Sequence, residues 1–516
     1  MINKLNITNC NFFIFLLLLF LMLSERLFFL TKFGFVYTGS DEMIFWQAAT
    51  DYMNGIFHEP FFYGQNYNFM LEALVAVPFL KLGIPYHYTF PIVSSILALF
   101  PFIFFATILY KKSYYIESFV FLIIPLTMPV EYNILTSITR GFVSGLFFTG
   151  FLIYPLLYPT KKISYFMSGI CIALGYIFNP NSLVFSIPIG MFLLLNNFKT
   201  PLFYIINILC AALILYLQFL SQQFYVNHPD YNVCGMWSLK YSFNLLLDDI
   251  KHLDTIFTYL NPIIWNWGWL SLIILLIAGI YLLKNNRQYG ISIITGIIFI
   301  IFTLGINKVN DGINIIFFSI PRMFLGIPLF LSLGFFYCKI FLPVTDNFWK
   351  HSLILIGVIF FFIKISISPL IIKEHTSHEI SSCILEKKIS ALCEECDNIS
   401  SISNSYDIEL IIFLPDWKYN VPYMEFYNYG CPLIEKNFKK TLLRVYEKRT
   451  WVYLEEKKSI RKNILLYGYA DRNLLSENTC FEIISDNPQI TVIKNNILNT
   501  EDLLKKLNIT LKRNAY

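Results

Sequence analysis

Residues 34–85 read GFVYTGSDEMIFWQAATDYMNGIFHEPFFYGQNYNFMLEALVAVPFLKLGIP. After Gly39 and Ser40 come Asp41 and Glu42. Apolar Phe45, Ala48, Ala49, Tyr52, Met53 and Ile56 then recur every three or four residues, the period of an amphipathic helix, with Gly55 as its stop. A helix of this kind lies in the plane of a membrane interface. A second helical pattern runs from about Asn68 to Leu82 and closes on Gly83 and Pro85. Between the two lies an aromatic and amide-rich connector, Phe61 to Tyr67.

Long apolar runs flank this stretch on both sides. Of the 516 residues, 56% are hydrophobic and 14% charged, with a mean hydropathy of +0.57. Soluble domains carry about 25% charge. The balance excludes an ordinary cytosolic enzyme and a disordered chain. A net charge of +5 with no basic block excludes a nucleic-acid binder. A membrane helix needs roughly 20 mostly apolar residues, and eleven candidate runs give an expected count of about eleven transmembrane helices. They lie near 11–30, 91–110, 114–130, 141–158, 164–179, 181–197, 202–220, 262–283, 289–306, 321–341 and 352–371. The expected fold is a polytopic α-helical membrane protein. The first run has no small-residue cleavage site after it and reads as a permanent helix.

Lys4, Lys111–Lys112, Lys161–Lys162, Lys199, Lys284 with Arg287, and Lys339 with Lys350 fall at alternate gaps. Basic residues mark the cytoplasmic side. The N-terminus is therefore expected inside, and an odd number of spans puts the C-terminus outside. Residues 31–90 and 221–261 become outer loops. Two domains are expected: 1–372 in the membrane, and a polar, extracytoplasmic α/β or α+β domain at 373–516. The latter has strand-like runs at 409–414, 442–446, 451–455, 464–468, 481–485 and 490–494, and helical patterns near 380–392 and 500–507. Its five cysteines, with Cys393 and Cys396 spaced as in redox or metal motifs, suit disulfides if that side is oxidising.

Asp41 and Glu42 allow two readings. Acidic residues at a helix start satisfy its N–H groups. A rigidly held, partly dehydrated carboxylate is also a good general base toward a hydroxyl. Lys308, Asp311 and Arg322 share the gap 305–323, where a guanidinium fork suits a phosphate. Arg140 occupies another short outer gap. His228-Pro229-Asp230 reads as a turn, as does Asn179-Pro180-Asn181. Lys364 and the Glu25–Arg26 pair are charges within apolar runs. Such groups face protein or water, or snorkel to the interface.

One apolar helix, a short outer stretch, Asp-Glu, an amphipathic helix and then Phe-Tyr-Gly-Gln-x-Tyr-x-x-x-Leu-Glu together resemble the C-superfamily (GT-C) membrane glycosyltransferases. Within it, the resemblance is to the branch of protein O-mannosyltransferases and aminoarabinose transferases. It extends loosely over residues 1–372. It implies a sugar donor carried on a polyprenyl phosphate and an acidic catalytic base in the first outer loop. Asp41 matches that carboxylate and Glu42 is its neighbour. Gln65, Tyr67 and Glu72 match the later motif as substrate-binding residues. Ser-x-Pro-Arg-Met resembles the late-loop site of the donor phosphate, which would place Arg322 there, with Lys308 second and Arg140 able to touch either substrate. The implied acceptor is a glycan, lipid or protein hydroxyl at the outer face of a bacterial inner (plasma) membrane. A metal is not required, although a divalent cation is compatible. Two other classes fit a polytopic chain: a lipid-linked sugar flippase, which needs a polar path at mid-membrane, and an O-antigen polymerase or ligase, for which 221–261 would matter and Asp41 would not.

Overall fold

The structure is a computed structural model and describes residues 2–231, 239–312, 316–342, 345–377, 387–414, 441–444, 449–468, 481–486 and 490–509. All eleven apolar runs contain helix, although that at 262–283 is helical only from Leu270. Six are long and apolar enough to cross a bilayer: Cys10–Lys32, Tyr86–Lys111, Pro201–Asn227, Arg287–Leu304, Ile320–Lys339 and Asp346–Ser377. Four are shorter: Ser144–Leu157, Lys162–Phe178, Pro180–Asn196 and Leu270–Asn285. The remaining run is a broken pair, Tyr115–Thr127 and Val130–Ser137, bent by 92°. The chain is a multi-pass membrane protein.

The break has a local cause. Pro129 has no N–H and drives the preceding Met128 out of the helical region, to φ −69° and ψ 153°. Carbonyls released at a helix end inside a membrane must be bonded within the protein. Thr127 O accepts from Ile263 N at 3.0 Å and from the Trp265 indole at 2.9 Å. Pro125 O accepts from Lys364 Nζ at 3.4 Å.

The chain divides into two compact units. The first comprises Met1–Phe35, Pro91–Gln218 and Trp237–His375, and is helical. Lys112 and Lys161 both lie over the Tyr158 ring. Asn197 Nδ2 donates to Pro159 O, and the Tyr281 hydroxyl donates to Phe341 O. The basic gaps at 111–112, 161–162 and 199 thus meet one another, as do those at 284–287 and 339–350. Among the other gaps, Arg140 meets Phe317, Asn181 meets Arg322 and His375 meets Glu131. Lys364 is fully buried and pairs with Glu25 at 2.9 Å. Asn133 Nδ2 donates to the same Glu25 oxygen at 2.6 Å. Arg26 donates to Asn133 O and to Thr136 Oγ1. The three charges that interrupt the apolar runs therefore form one network on the broken helix.

The second unit comprises Val36–Phe90, Phe219–Met236 and Thr376–Tyr516. Among the described residues its sheet has five strands, in the order Thr441–Arg444, Leu410–Phe413, Asn463–Tyr467, Ile490–Asn495, Phe481–Asp486. The first three are parallel and the last two pair antiparallel to their neighbours. Leu410–Leu414 is a continuous apolar run buried on both faces, as a central parallel strand should be. Helix Ile389–Ser405 covers it with Leu392, Cys396, Ile399 and Ile402. This helix starts later than the 380–392 pattern suggested, and residues 378–386 lie outside those described. Residues 451–455, strand-like by propensity, form part of helix Thr450–Glu456, because Val452 and Tyr453 pack on the sheet core in helical geometry. Cys396 is disulfide-bonded while Cys393 is free, so the pair is not a bridge of its own. The other described cysteines are also free, so the partner of Cys396 lies outside the described residues.

Candidate functional site

The first-loop helix is Ser40–Met53. Extended Gly39, at φ −119° and ψ 165°, precedes it as the cap residue and offers no side chain. Asp41 is therefore not the cap but sits in the first turn with Glu42. Successive helix residues point about 100° apart, which separates the two carboxylates. Glu42 turns into the core, where its Oε2 accepts from Thr38 Oγ1 at 3.0 Å. Asp41 stays half-exposed. The start of the helix is pinned from the tail: Tyr37–Thr38 pairs antiparallel with Lys387–Lys388, and Ile389 N donates to Val36 O. An anchored, half-dehydrated carboxylate at the positive end of a helix is suited to accepting a proton at a fixed point.

The connector closes on itself. Phe62 N donates to Asn68 O at 2.9 Å and Gln65 N to Phe62 O at 2.8 Å, with Gly64 and Asn68 at φ +80° and +72°. This turn holds Gln65 and Tyr67 half-buried. Glu72 is fully buried in the first turn of helix Leu71–Lys81, which packs against Ser40–Met53. The sequence motif thus gathers as two adjoining helices and a tight turn.

A further cluster in this unit was not anticipated. Asp51 lies ten residues after Asp41 on the same helix, about 15 Å along it, so it belongs to a different place. Its carboxylate accepts from the Tyr63 hydroxyl at 2.8 Å and from Gln47 Nε2 at 2.9 Å, and His58 Nε2 lies 3.9 Å away. Burial pushes the Asp51 carboxyl up, against these bonds and the nearby charges of His58 and Arg449. The His58 ring stacks on the Trp451 indole at 3.8 Å, and burial pulls its pKa down. Next along, Glu59 Oε2 accepts from the Tyr225 hydroxyl at 2.9 Å. The signals were present in Gln47-x-x-x-Asp51 and in His58-Glu59-Pro60, but nothing local tells a buried acid from a loop charge.

Burial pushes Glu59 up to about 8, partly opposed by the Tyr225 hydroxyl and the Gly64 N–H. A carboxyl raised in the folded state holds its proton there after the unfolded chain has released it. Its contribution to stability is whole below about pH 4.5 and is lost as pH rises through about 8. Each pH unit in that window costs up to about 1.4 kcal/mol. Glu59→Gln removes this titration. The variant is expected to match the wild type near pH 5 and to unfold at higher temperature than it at pH 8.5. Equal wild-type and variant slopes in a pH series of thermal unfolding would contradict this assignment.

In the helical unit, Arg140 and Arg322 are both buried, at 5% and 4% exposure. Arg140 NH1 donates to Phe317 O at 2.8 Å. Arg322 NH1 donates to Phe318 O at 2.9 Å and Ser319 O at 2.8 Å, and its NH2 donates to Asp311 O. The two guanidiniums thus converge on three consecutive carbonyls. Carbonyl acceptors orient a guanidinium. Arg322 also stacks on the Phe318 ring at 3.8 Å. Lys308 pairs with Asp311 at 2.8 Å, which offsets its charge and makes it the weaker anion ligand. His228 bonds Phe224 O, and its carbonyl accepts from Tyr231 N in the expected turn. Among the described residues, no three His, Cys, Asp or Glu side chains come together as a metal-binding group.

No family model and no curated protein matches the sequence. The fold, however, has counterparts among solved structures. One is the crystal structure of ArnT from Cupriavidus metallidurans bound to undecaprenyl phosphate. It aligns over 92% of this chain and 97% of ArnT, with a TM-score of 0.51 and 10% identity. The apo structure of the same protein covers the same shares, with a TM-score of 0.52 and 9% identity. The chain therefore has the fold of ArnT.

Proposed function

We propose that the chain is an inverting glycosyltransferase that moves a sugar from a polyprenyl-phosphate carrier to an acceptor hydroxyl at the outer face of the bacterial inner membrane. The observation that carries this reading is the ArnT-like fold over 92% of the chain, ArnT itself having been crystallised with undecaprenyl phosphate. Asp41 accepts the proton of the acceptor hydroxyl. The hydroxyl oxygen bonds the anomeric carbon, and the bond from that carbon to the phosphate oxygen breaks. Its electron pair leaves on the lipid phosphate, so one displacement inverts the centre. Arg140, Arg322 and Lys308 meet the charge that develops on the leaving group. Glu42, held by Thr38, keeps the helix start fixed. Gln65 and Tyr67 bind substrate, and buried Glu72 supports the turn that carries them.

Two observations support the outer face. The basic gaps at 111–112, 161–162 and 199 meet one another, as do those at 284–287 and 339–350, and by the positive-inside tendency these gaps are cytoplasmic; the two arginines are in other gaps. The disulfide at Cys396 suits an oxidising compartment for the tail. The intramembrane charges are held within one network, Lys364 on Glu25 and both Glu25 and Arg26 on Asn133, and so do not suggest a transport path.

Membranes containing the chain and a mixed pool of polyprenyl-phosphate sugars are expected to transfer sugar and release polyprenyl phosphate faster than membranes without it. Equal transfer in both, with no binding of undecaprenyl phosphate by the purified chain, overturns the reading.

A further inference from the structure

Asn181 occupies the short turn Pro180–Ser182 between helices Lys162–Phe178 and Leu183–Asn196, and is 3% exposed. Its amide nitrogen donates twice, to Phe142 O at 2.7 Å and to Arg322 O at 3.2 Å. One acceptor is two residues beyond Arg140. The other is the backbone of Arg322 itself. A single side chain thus ties the main chain of Arg322 to that of Phe142, two residues past Arg140, across separations of 141 and 39 residues in sequence.

The surroundings leave this tie little freedom. Asn179 Nδ2 donates to Gly141 O at 2.9 Å, and Asn179 Oδ1 accepts from Asn181 N at 3.1 Å. Gly141 turns the chain at φ +76°, a conformation side chains rarely adopt. A Cβ at Gly145 would meet Asn179 O at 2.4 Å, and one at Gly326 would meet Asn181 O at 3.2 Å. The arginine heads are fixed as well, on the consecutive carbonyls of Phe317, Phe318 and Ser319. Roots and heads together close a ring through Asn181. The Oδ1 of Asn181 is buried with no hydrogen-bond partner, an unmet acceptor that costs stability. What the residue provides lies in its two donated bonds.

We propose that Asn181 is a positioning residue that sets the relative placement of Arg140 and Arg322 for the phosphate of a polyprenyl-phosphate donor. This rests on the donor reading above. Phosphate recognition by paired guanidiniums depends on sub-ångström placement, and Asn181 acts on both from one point. It touches the Arg322 backbone and, at Phe142, the segment that carries Arg140, and not the donor.

The test compares binding of undecaprenyl phosphate with binding of undecaprenol, its phosphate-free alcohol, by the full chain purified in detergent. The wild type is expected to prefer the phosphate. Asn181→Ala should weaken phosphate binding roughly tenfold, equivalent to about 1.4 kcal/mol, and leave undecaprenol binding within about twofold. Asn181→Ser keeps a donor of shorter reach; it should give an intermediate loss, and it carries the test if the alanine variant does not fold. Asn197→Ala is the matched control. Asn197 is equally buried at the other end of the same helix and also donates twice, to Pro159 O and Leu193 O. It should lose thermal stability yet keep the wild-type preference. Loss of both lipids in parallel, or an unchanged preference in both Asn181 variants, overturns the inference. A wild type with no preference for the phosphate removes the donor reading and this inference with it.

Discussion

Asp41→Asn is expected to cut sugar transfer by about a hundred- to ten-thousandfold, the usual contribution of a positioned general base, while the protein stays folded. The substitution keeps the shape of the side chain and removes its basicity. Gly39 occupies the cap position and Glu42 makes the bond to Thr38. Neither depends on the Asp41 carboxylate. If Asp41 merely adds a negative charge to the first turn, its loss costs about 0.3–1 kcal/mol of stability and leaves the rate nearly unchanged. The two roles thus differ by orders of magnitude in one observable. Glu42→Gln provides the contrast. It weakens the buried bond to Thr38, so it should lower thermal stability by about 1 kcal/mol and reduce transfer far less than Asp41→Asn. The measurement is transfer from a mixed polyprenyl-phosphate-sugar pool in membranes, normalised to protein and paired with thermal unfolding in detergent. Near-wild-type transfer by folded Asp41→Asn would remove the general-base role and bring the transporter and ligase readings forward.

What the sequence disclosed follows the range of the forces involved. Apolar length and period are local, and all eleven runs contain helix, but among the described residues only six of these helices are long and apolar enough to cross a bilayer, or seven with the bent pair. The first-loop helix, its connector and the following helix also lie where the periodicity put them, to within a few residues. The break at Met128–Pro129 had a local signal too, since proline restricts the residue before it, but an apolar run hides a bend of 92°. Residues 451–455 misled because Trp, Val and Tyr favour strands only where a sheet offers them a place. Here the core takes Val452 and Tyr453 from a helix. Partners distant in sequence could not be read at all. Lys308 read as the second anion ligand after Arg322, but its ion pair with Asp311 was not legible. Asn181 read correctly as a turn, but its bonds to Phe142 and Arg322 depend on three segments meeting. Glu25, Arg26 and Lys364 were conspicuous as charges in apolar runs, yet the Glu25–Lys364 pair joins residues 339 positions apart.

That pair carries the second large effect. Lys364→Met is expected to destabilise the helical unit by about 3–5 kcal/mol, the usual result of removing one partner from a buried ion pair. Methionine nearly preserves the volume, so a cavity contributes little and the electrostatic change dominates. Lys364 has no exposed surface, and its ammonium lies 2.9 Å from Glu25 and 3.4 Å from Pro125 O. Without it, a buried carboxylate loses its closest cation and the broken helix loses a donor to one of its terminal carbonyls. Arg26 cannot compensate by moving, because it is committed to Asn133 O and Thr136 Oγ1 on the same broken helix. The double variant Glu25→Gln with Lys364→Met removes the stranded charge while keeping an acceptor for Asn133. It should regain more than half of the loss, which would show as a lower detergent unfolding temperature for the single variant and a partial return for the double. Exposed pairs are worth only about 0–1 kcal/mol, so an effect of that size in the single variant would mean that water reaches the pair. The consequence for activity follows from the chain path: helix Val130–Ser137 leads directly into Arg140. Loosening its anchor should therefore weaken donor binding as well as stability, and the double variant should restore both together.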